Sequence, residues 1–183
     1  MASSESTGAA RRYAEAAFEL AKEGDLLDQW HEDLTTLAAV ADDPGALAVL
    51  DNPKQPLAGR IALLERAMSG LPPQALNLAK LLLTRGRFAL LPQISDLYHR
   101  MLDRERNIVR AEVVTAVPLA DDDREAIRER LRAMTGAADV RLDAEVDPAI
   151  IGGLVARVGD RLIDGSTRTR LVQLKRRLAG AAR

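Results

Sequence analysis

Residues 150–171 read IIGGLVARVGDRLIDGSTRTRL, and this stretch decides the fold. An apolar run is cut at Gly159-Asp160, resumes as Leu162-Ile163, stops at Asp164-Gly165 and opens a basic segment at Ser166. Gly-Asp between two apolar runs signals a tight hairpin, because Gly as the first turn residue tolerates positive φ. Ser166 is a good helix N-cap, its hydroxyl accepting a bond from a free N–H of the first turn. Leu171, Leu174 and Leu178 then share one side of that helix. The local pattern is strand, turn, short strand, helix.

Upstream the signals alternate. Ile108 to Val117 is a strand, with Val109, Ala111, Val113, Thr115 and Val117 on one face. Asp121-Asp122-Asp123 opens a helix whose dipole favours negative charge there. Its buried side is Ile127, Leu131 and Met134. Val140, Leu142, Ala144 and Val146 alternate with charged residues in a half-buried strand. The second part of the chain, 106–183, thus reads as a small β-α-β-β-α domain.

Residues 1–105 differ in character. Ala and Leu dominate, which favours helix. Six helices are expected: Arg11 to Lys22; one capped by Asp25, with the stripe Leu27, Trp30, Leu34, Leu37 and Ala41; a short one begun by Asp43-Pro44; one with Ile61, Leu64, Ala67 and Met68; one opened by Pro72-Pro73; and one from about Phe88, with Pro92 in its first turn. The fifth is apolar on several sides, with Ala75, Leu78, Ala79 and Leu82 in one stripe. The fold class is α+β, a six-helix bundle followed by the smaller domain.

Composition excludes several classes. The 183 residues contain no cysteine, so disulfides and thiolate metal sites are out. No apolar run approaches the ~20 residues that cross a bilayer, and the first residues lack a signal-peptide pattern. The net charge of −1 conceals an asymmetry. Residues 1–105 hold 11 basic and 15 acidic side chains, and residues 106–183 hold 15 and 12. That surplus is too small for a nucleic-acid domain but suits an acidic protein partner. His31 and His99 stand on separate helices without a ligand pattern. Gly152-Gly153 lacks the spacing of a phosphate loop and suggests close backbone packing. Asp160 and Asp164 are ordinary turn residues beside Gly. No nucleophile with a base and orienting partner can be assembled, so no enzyme activity is expected.

The order Gly153, Gly159, Asp160, Ile163, Asp164, Gly165, Ser166, Arg168, Arg170 and Leu171 resembles the C-terminal signature of the δ subunit of F-type ATP synthases, the family of the mitochondrial oligomycin-sensitivity-conferring protein. Ala10-Arg11-Arg12-Tyr13-Ala14-Glu15-Ala16-Ala17-Phe18 is similar to that family's first helix, with Arg12 where Pro is frequent. Arg85 to Pro92 is similar to the turn between its fifth and sixth helices. The resemblance implies a non-catalytic peripheral-stalk subunit without cofactor or metal, one copy per complex. It would sit at the cytoplasmic face of the bacterial plasma membrane, held there by partners.

The helical domain, 1–105, would dock on the catalytic head through the N-terminal helices of α subunits, with β subunits as a further contact. The first and fifth helices would form the groove, and the residues expected in it are Tyr13, Ala14, Ala17, Leu20, Leu78, Ala79 and Leu82. The smaller domain, 106–183, would hold the b-type stalk through Arg168, Leu171, Leu174, Lys175 and Leu178. Those leucines divide between sealing the helix onto its sheet and docking, and the basic run between a solvated face and a docking surface. The competing reading is a helical adaptor or nucleic-acid-binding regulator using the basic C-terminal helix.

Overall fold

The computed structural model describes residues 2–159, 161–167, 169 and 171, and it divides into two compact units, Met1–Leu102 and Asp103–Arg183. Among the described residues there are seven α-helices and one four-stranded sheet.

Six helices precede the sheet: α1 (Ala2–Glu23), α2 (Leu27–Asp42), α3 (Pro44–Leu50), α4 (Leu57–Ala67), α5 (Pro73–Thr84) and α6 (Leu91–Glu105). α1 begins well before Arg11, because its first residues are compatible with helix although they carry no apolar period. Asp25 does not cap α2 as expected. It sits at φ 53°, where its short side chain tolerates the left-handed region. There it closes α1: the N–H of Leu26 bonds the Ala21 carbonyl at 2.8 Å and that of Asp25 the Lys22 carbonyl at 3.3 Å, a Schellman pattern. Gly86, at φ 61°, ends α5 in the same way, with Arg87 N–H on the Leu82 carbonyl at 2.8 Å. Asp43 does cap α3, its carboxylate accepting from the Ala46 N–H at 2.7 Å, with Pro44 next. A 3₁₀ turn at Phe88–Leu90 leads into α6, which carries Pro92 in its first turn.

The core of this unit is aliphatic around a few rings. Leu34, Leu37, Leu64, Leu82, Phe88, Leu91, Ile94 and Tyr98 are fully buried. α1 contributes mostly alanine, with Ala10, Ala14, Ala17 and Ala21 buried beside Phe18. Phe18 meets Tyr98 edge-on, with ring centroids 5.5 Å apart, a geometry that the ring quadrupoles favour. The Tyr98 hydroxyl donates to the Leu27 carbonyl at 2.9 Å, across 71 residues of chain.

The second unit carries four strands where the expected β-α-β-β-α order counts three, because the strand and short strand read on either side of Gly159-Asp160 are two separate strands. It runs β1 (Ile108–Thr115), α7 (Asp121–Thr135), β2 (Asp139–Val146), β3 (Leu154–Val158) and β4 (Arg161–Asp164), in the sheet order β2-β1-β3-β4. β1 and β2 are parallel, with α7 as the crossover, while β3 is antiparallel to both β1 and β4. Ala111, Val113, Val140, Ala156 and Val158 form the buried sheet face, packed with Leu131 of α7. Met134, expected on the buried side, is 52% exposed and lies outside the cluster that takes Ile127 and Leu131 from α7, at the far end of the helix. Val146 is 44% exposed, since β2 is an edge strand with a neighbour on one side only. Asp103, at the end of α6, is buried and receives Arg110 Nε at 2.7 Å and Arg141 Nη1 at 3.3 Å.

Tyr98→Phe keeps the ring contacts and removes the bond to Leu27. The loss of one intramolecular bond between distant elements is expected to cost about 1 kcal/mol in chemical denaturation followed by helical circular dichroism.

Candidate partner-binding surfaces

α1 and α5 both pack against α2, and between them lies a groove of about 610 Å³. One wall is Arg12, Tyr13, Ala16, Ala17 and Leu20, and the other is Gln74, Asn77, Leu78 and Leu81. Trp30 of α2 lies beneath, itself buried, and Arg87 closes one side. Leu20 is 57% and Leu81 43% exposed, so large apolar side chains remain open to solvent after the helices have closed on their core. Arg87 Nη1 donates to the Tyr13 hydroxyl at 3.3 Å, tying the turn after α5 to α1. Two arginines and no acidic side chain line the groove.

The residues expected at this surface fall in two layers. Tyr13, Ala17, Leu20 and Leu78 line the groove. Ala14, Ala79 and Leu82 do not: all three are fully buried in the core, and they set the depth of the groove from beneath. The helical period places them beside the lining residues, and only packing separates the two sets. Ala16, Leu81, Trp30 and Arg87 were not anticipated. Leu81 was legible as surplus apolar surface on α5, whereas Trp30 lines the groove only because α2 packs under both walls.

The turn at residues 150–167 is built on backbone contact. Ile150 and Ile151 are not the strand onset they resemble: Pro148–Ile150 is a 3₁₀ turn, and Ile151 sits at φ 68°. β3 starts at Leu154, after Gly152 and Gly153, which are pressed against Gly165, Ser166 and Thr167. A Cβ on Gly153, at φ 77°, would stand 2.5 Å from the Gly165 carbonyl oxygen, and one on Gly152 would stand 2.8 Å from Thr167 Oγ1. Gly165 N–H bonds the Leu154 carbonyl and Thr167 N–H the Gly152 carbonyl, each at 2.9 Å. Gly159, at φ 57°, turns β3 into β4.

Ser166 caps as expected, its hydroxyl accepting the Thr169 N–H at 3.2 Å. Asp164 accepts the Ser166 N–H at 2.9 Å and the Thr169 hydroxyl at 2.7 Å. These bonds, the backbone one first, hold its carboxyl below the usual range. Helical backbone is described at Thr167, Thr169 and Leu171, and Leu171 is exposed. Asp160, Arg168, Arg170, Leu174, Lys175, Arg176, Arg177 and Leu178 lie outside the described residues.

His31 and His99, far apart in sequence, come together with ring centroids 4.5 Å apart. Among the described residues no three His, Cys, Asp or Glu side chains are grouped to hold a metal. No described helix is long and apolar enough to cross a membrane.

The family model for the ATP synthase delta (OSCP) subunit matches residues 9–178. The chain belongs to the ATP synthase delta (OSCP) subunit family. It is 39% identical over 170 residues to the ATP synthase subunit delta of Dehalococcoides mccartyi, covering 93% of each chain. With the corresponding protein of Anaeromyxobacter sp. it shares 41% identity over 172 residues, covering 92% of this chain and 96% of that one. A chain of the Toxoplasma gondii mitochondrial ATP synthase hexamer has the same fold, at TM-score 0.62 and 22% identity, covering 93% of this chain and 97% of that chain. The family is one of non-catalytic, structural subunits in the peripheral stalk of F-type ATP synthase, peripheral to a membrane-bound complex. The nucleic-acid or free adaptor reading finds no support among these relatives.

Two changes test the turn of this δ-family chain. Gly153→Ala is expected to cost at least about 1–3 kcal/mol from the left-handed backbone alone, read as a lower denaturation midpoint. Asp164→Asn is expected to destabilise near neutral pH. A carboxyl held low in the folded state stabilises above its unfolded pKa and loses that contribution as pH falls through the folded value. Thermal melts of wild type and variant should therefore converge on acidification.

Proposed function

We propose that the groove between α1 and α5 receives an amphipathic N-terminal helix of a catalytic-head α subunit, and that residues 106–183 hold the C-terminal ends of the b-type stalk. The observation that supports the first contact is the apolar surface left open in that groove, Leu20 and Leu81 above all. Helix-in-groove recognition needs such surplus area, with anchors at helical spacing. The rim arginines Arg12 and Arg87 favour a helix with acidic residues flanking its apolar stripe, through orientation and on-rate more than affinity.

The second contact uses Arg168, Leu171, Leu174, Lys175 and Leu178 of the basic C-terminal segment, with Ser166 and Asp164 fixing where that segment starts. A stator must resist torque, so slow dissociation serves it better than any chemistry. Two contacts on one chain also raise the effective concentration of each for the other. In this reading one copy serves each complex, β subunits are a further contact of the helical unit, and the protein is held at the cytoplasmic face of the membrane through its partners.

The test is calorimetric titration of the full chain with a synthetic α-subunit N-terminal peptide. Leu20→Asp and Leu81→Asp change exposed positions, so the fold is expected to persist by circular dichroism while binding weakens at least tenfold. Unchanged affinity in both variants would exclude this groove as the docking site.

A further inference from the structure

The helical unit has a second groove, with the opposite electrostatic character. Cavities of about 380, 690 and 340 Å³ follow one another along α2, α3 and α4. Thr36, Ala67 and Met68 line the first two, and Val40, Ala46 and Ala67 the last two, so the three hollows adjoin along one side of α2. From Gln29 to Val40 they follow α2 for about 17 Å, roughly three helical turns. Their apolar end is open: Val49 is 38% and Leu63 41% exposed.

The other end is acidic. Glu32 and Asp33 line it, Asp43 lines the middle, and no lysine or arginine lines any part. Asp43 is already engaged at the α3 N-terminus, which leaves the exposed Glu32 as the charge that a ligand would meet first, with Asp33 behind it in the wall. Asp33 is almost wholly buried, with the Gln29 amide donating to it at 3.0 Å. Burial pushes its carboxyl up, against the Gln29 bond. A buried carboxylate on a groove wall gains when a cation replaces the solvent it has lost.

We propose that this α2–α4 groove docks a basic amphipathic helix of another subunit of the complex, about three turns long. Its apolar stripe lies over Val40, Leu63 and Met68, and lysine or arginine at one end meets Glu32 and Asp33. The groove between α1 and α5 carries only basic charge, so like-charge repulsion keeps each segment out of the other's site. The two grooves therefore select two different partner segments, whatever occupies the first.

The probes are two synthetic helical peptides with the same leucine stripe, one bearing lysines and one bearing glutamates at the flanking positions. Each is titrated against the full chain by fluorescence anisotropy. The lysine peptide is expected to bind the wild type at least tenfold more tightly than it binds the double variant Glu32→Gln/Asp33→Asn or Leu63→Asp, and to be indifferent to Leu20→Asp. Its affinity should fall on acidification from a higher pH than an ordinary carboxylate would give, and Asp33→Asn should remove that part of the pH dependence. No binding of the lysine peptide, binding unaffected by the α2 and α4 changes, or equal binding of the glutamate peptide would each overturn the assignment. Loss of lysine-peptide binding in Leu20→Asp would place it in the first groove and overturn it as well. Failure of the α-subunit peptide to bind between α1 and α5 leaves this outcome untouched, because the two titrations use different variants.

Discussion

The alanine face of α1 is the constraint on which the helical unit depends. Ala10, Ala14, Ala17 and Ala21 recur at helical spacing and are all buried. With only a methyl at each position the helix lies close to its neighbours, and Phe18 alone reaches deep, to Tyr98. α5 uses the same device at Ala75 and Ala79. Two helices seated this low bury their small residues and keep their large ones at the sides. Leu20, Leu78 and Leu81 thus flank a trough over Trp30. The groove is a consequence of where volume was left out of the core, since close-packed interiors respond to single methylenes.

The second unit depends on absent side chains too, at the backbone level. Gly152 and Gly153 let β3 begin against the turn at Gly165-Ser166, where a Cβ would meet atoms at 2.5 and 2.8 Å. The same turn starts the basic C-terminal segment, with Asp164, Ser166 and Thr169 closing its free N–H groups. A segment that transmits force gains from a fixed origin, and here glycine contacts and a capping network fix it. Charge then separates the surfaces: arginines border the trough between α1 and α5, while carboxylates border the hollows along α2 and α4.

How much of this was legible follows from the range of each signal. Local chemistry could be read directly, as with Pro44 after Asp43, Pro72-Pro73 opening α5, and the Ser166 cap. Asp25 misled because Asp both caps helices and tolerates the left-handed region, and the choice depends on how α1 and α2 meet. Met134 and Val146 misled because period fixes a face without saying how far the cover over it extends. The pairing of the first and fifth helices in a groove came from the resemblance, and the residues themselves offered only the surplus apolar surface of the fifth. Which of Ala14, Ala17, Leu78, Ala79 and Leu82 reached its surface was not legible.

The sequence by itself determined the succession of elements, the change of character near residue 105, the turn signature at 150–171 and, through it, the family. Each of these rests on interactions within a few residues, which composition and spacing encode. Only the tertiary structure decided the sheet order β2-β1-β3-β4, the meeting of His31 with His99, the position of Trp30 beneath two helices, and the adjoining of three hollows along α2 that are acidic at one end. Those depend on contacts between residues distant in the chain, where packing of the whole unit, and no local preference, selects the neighbour.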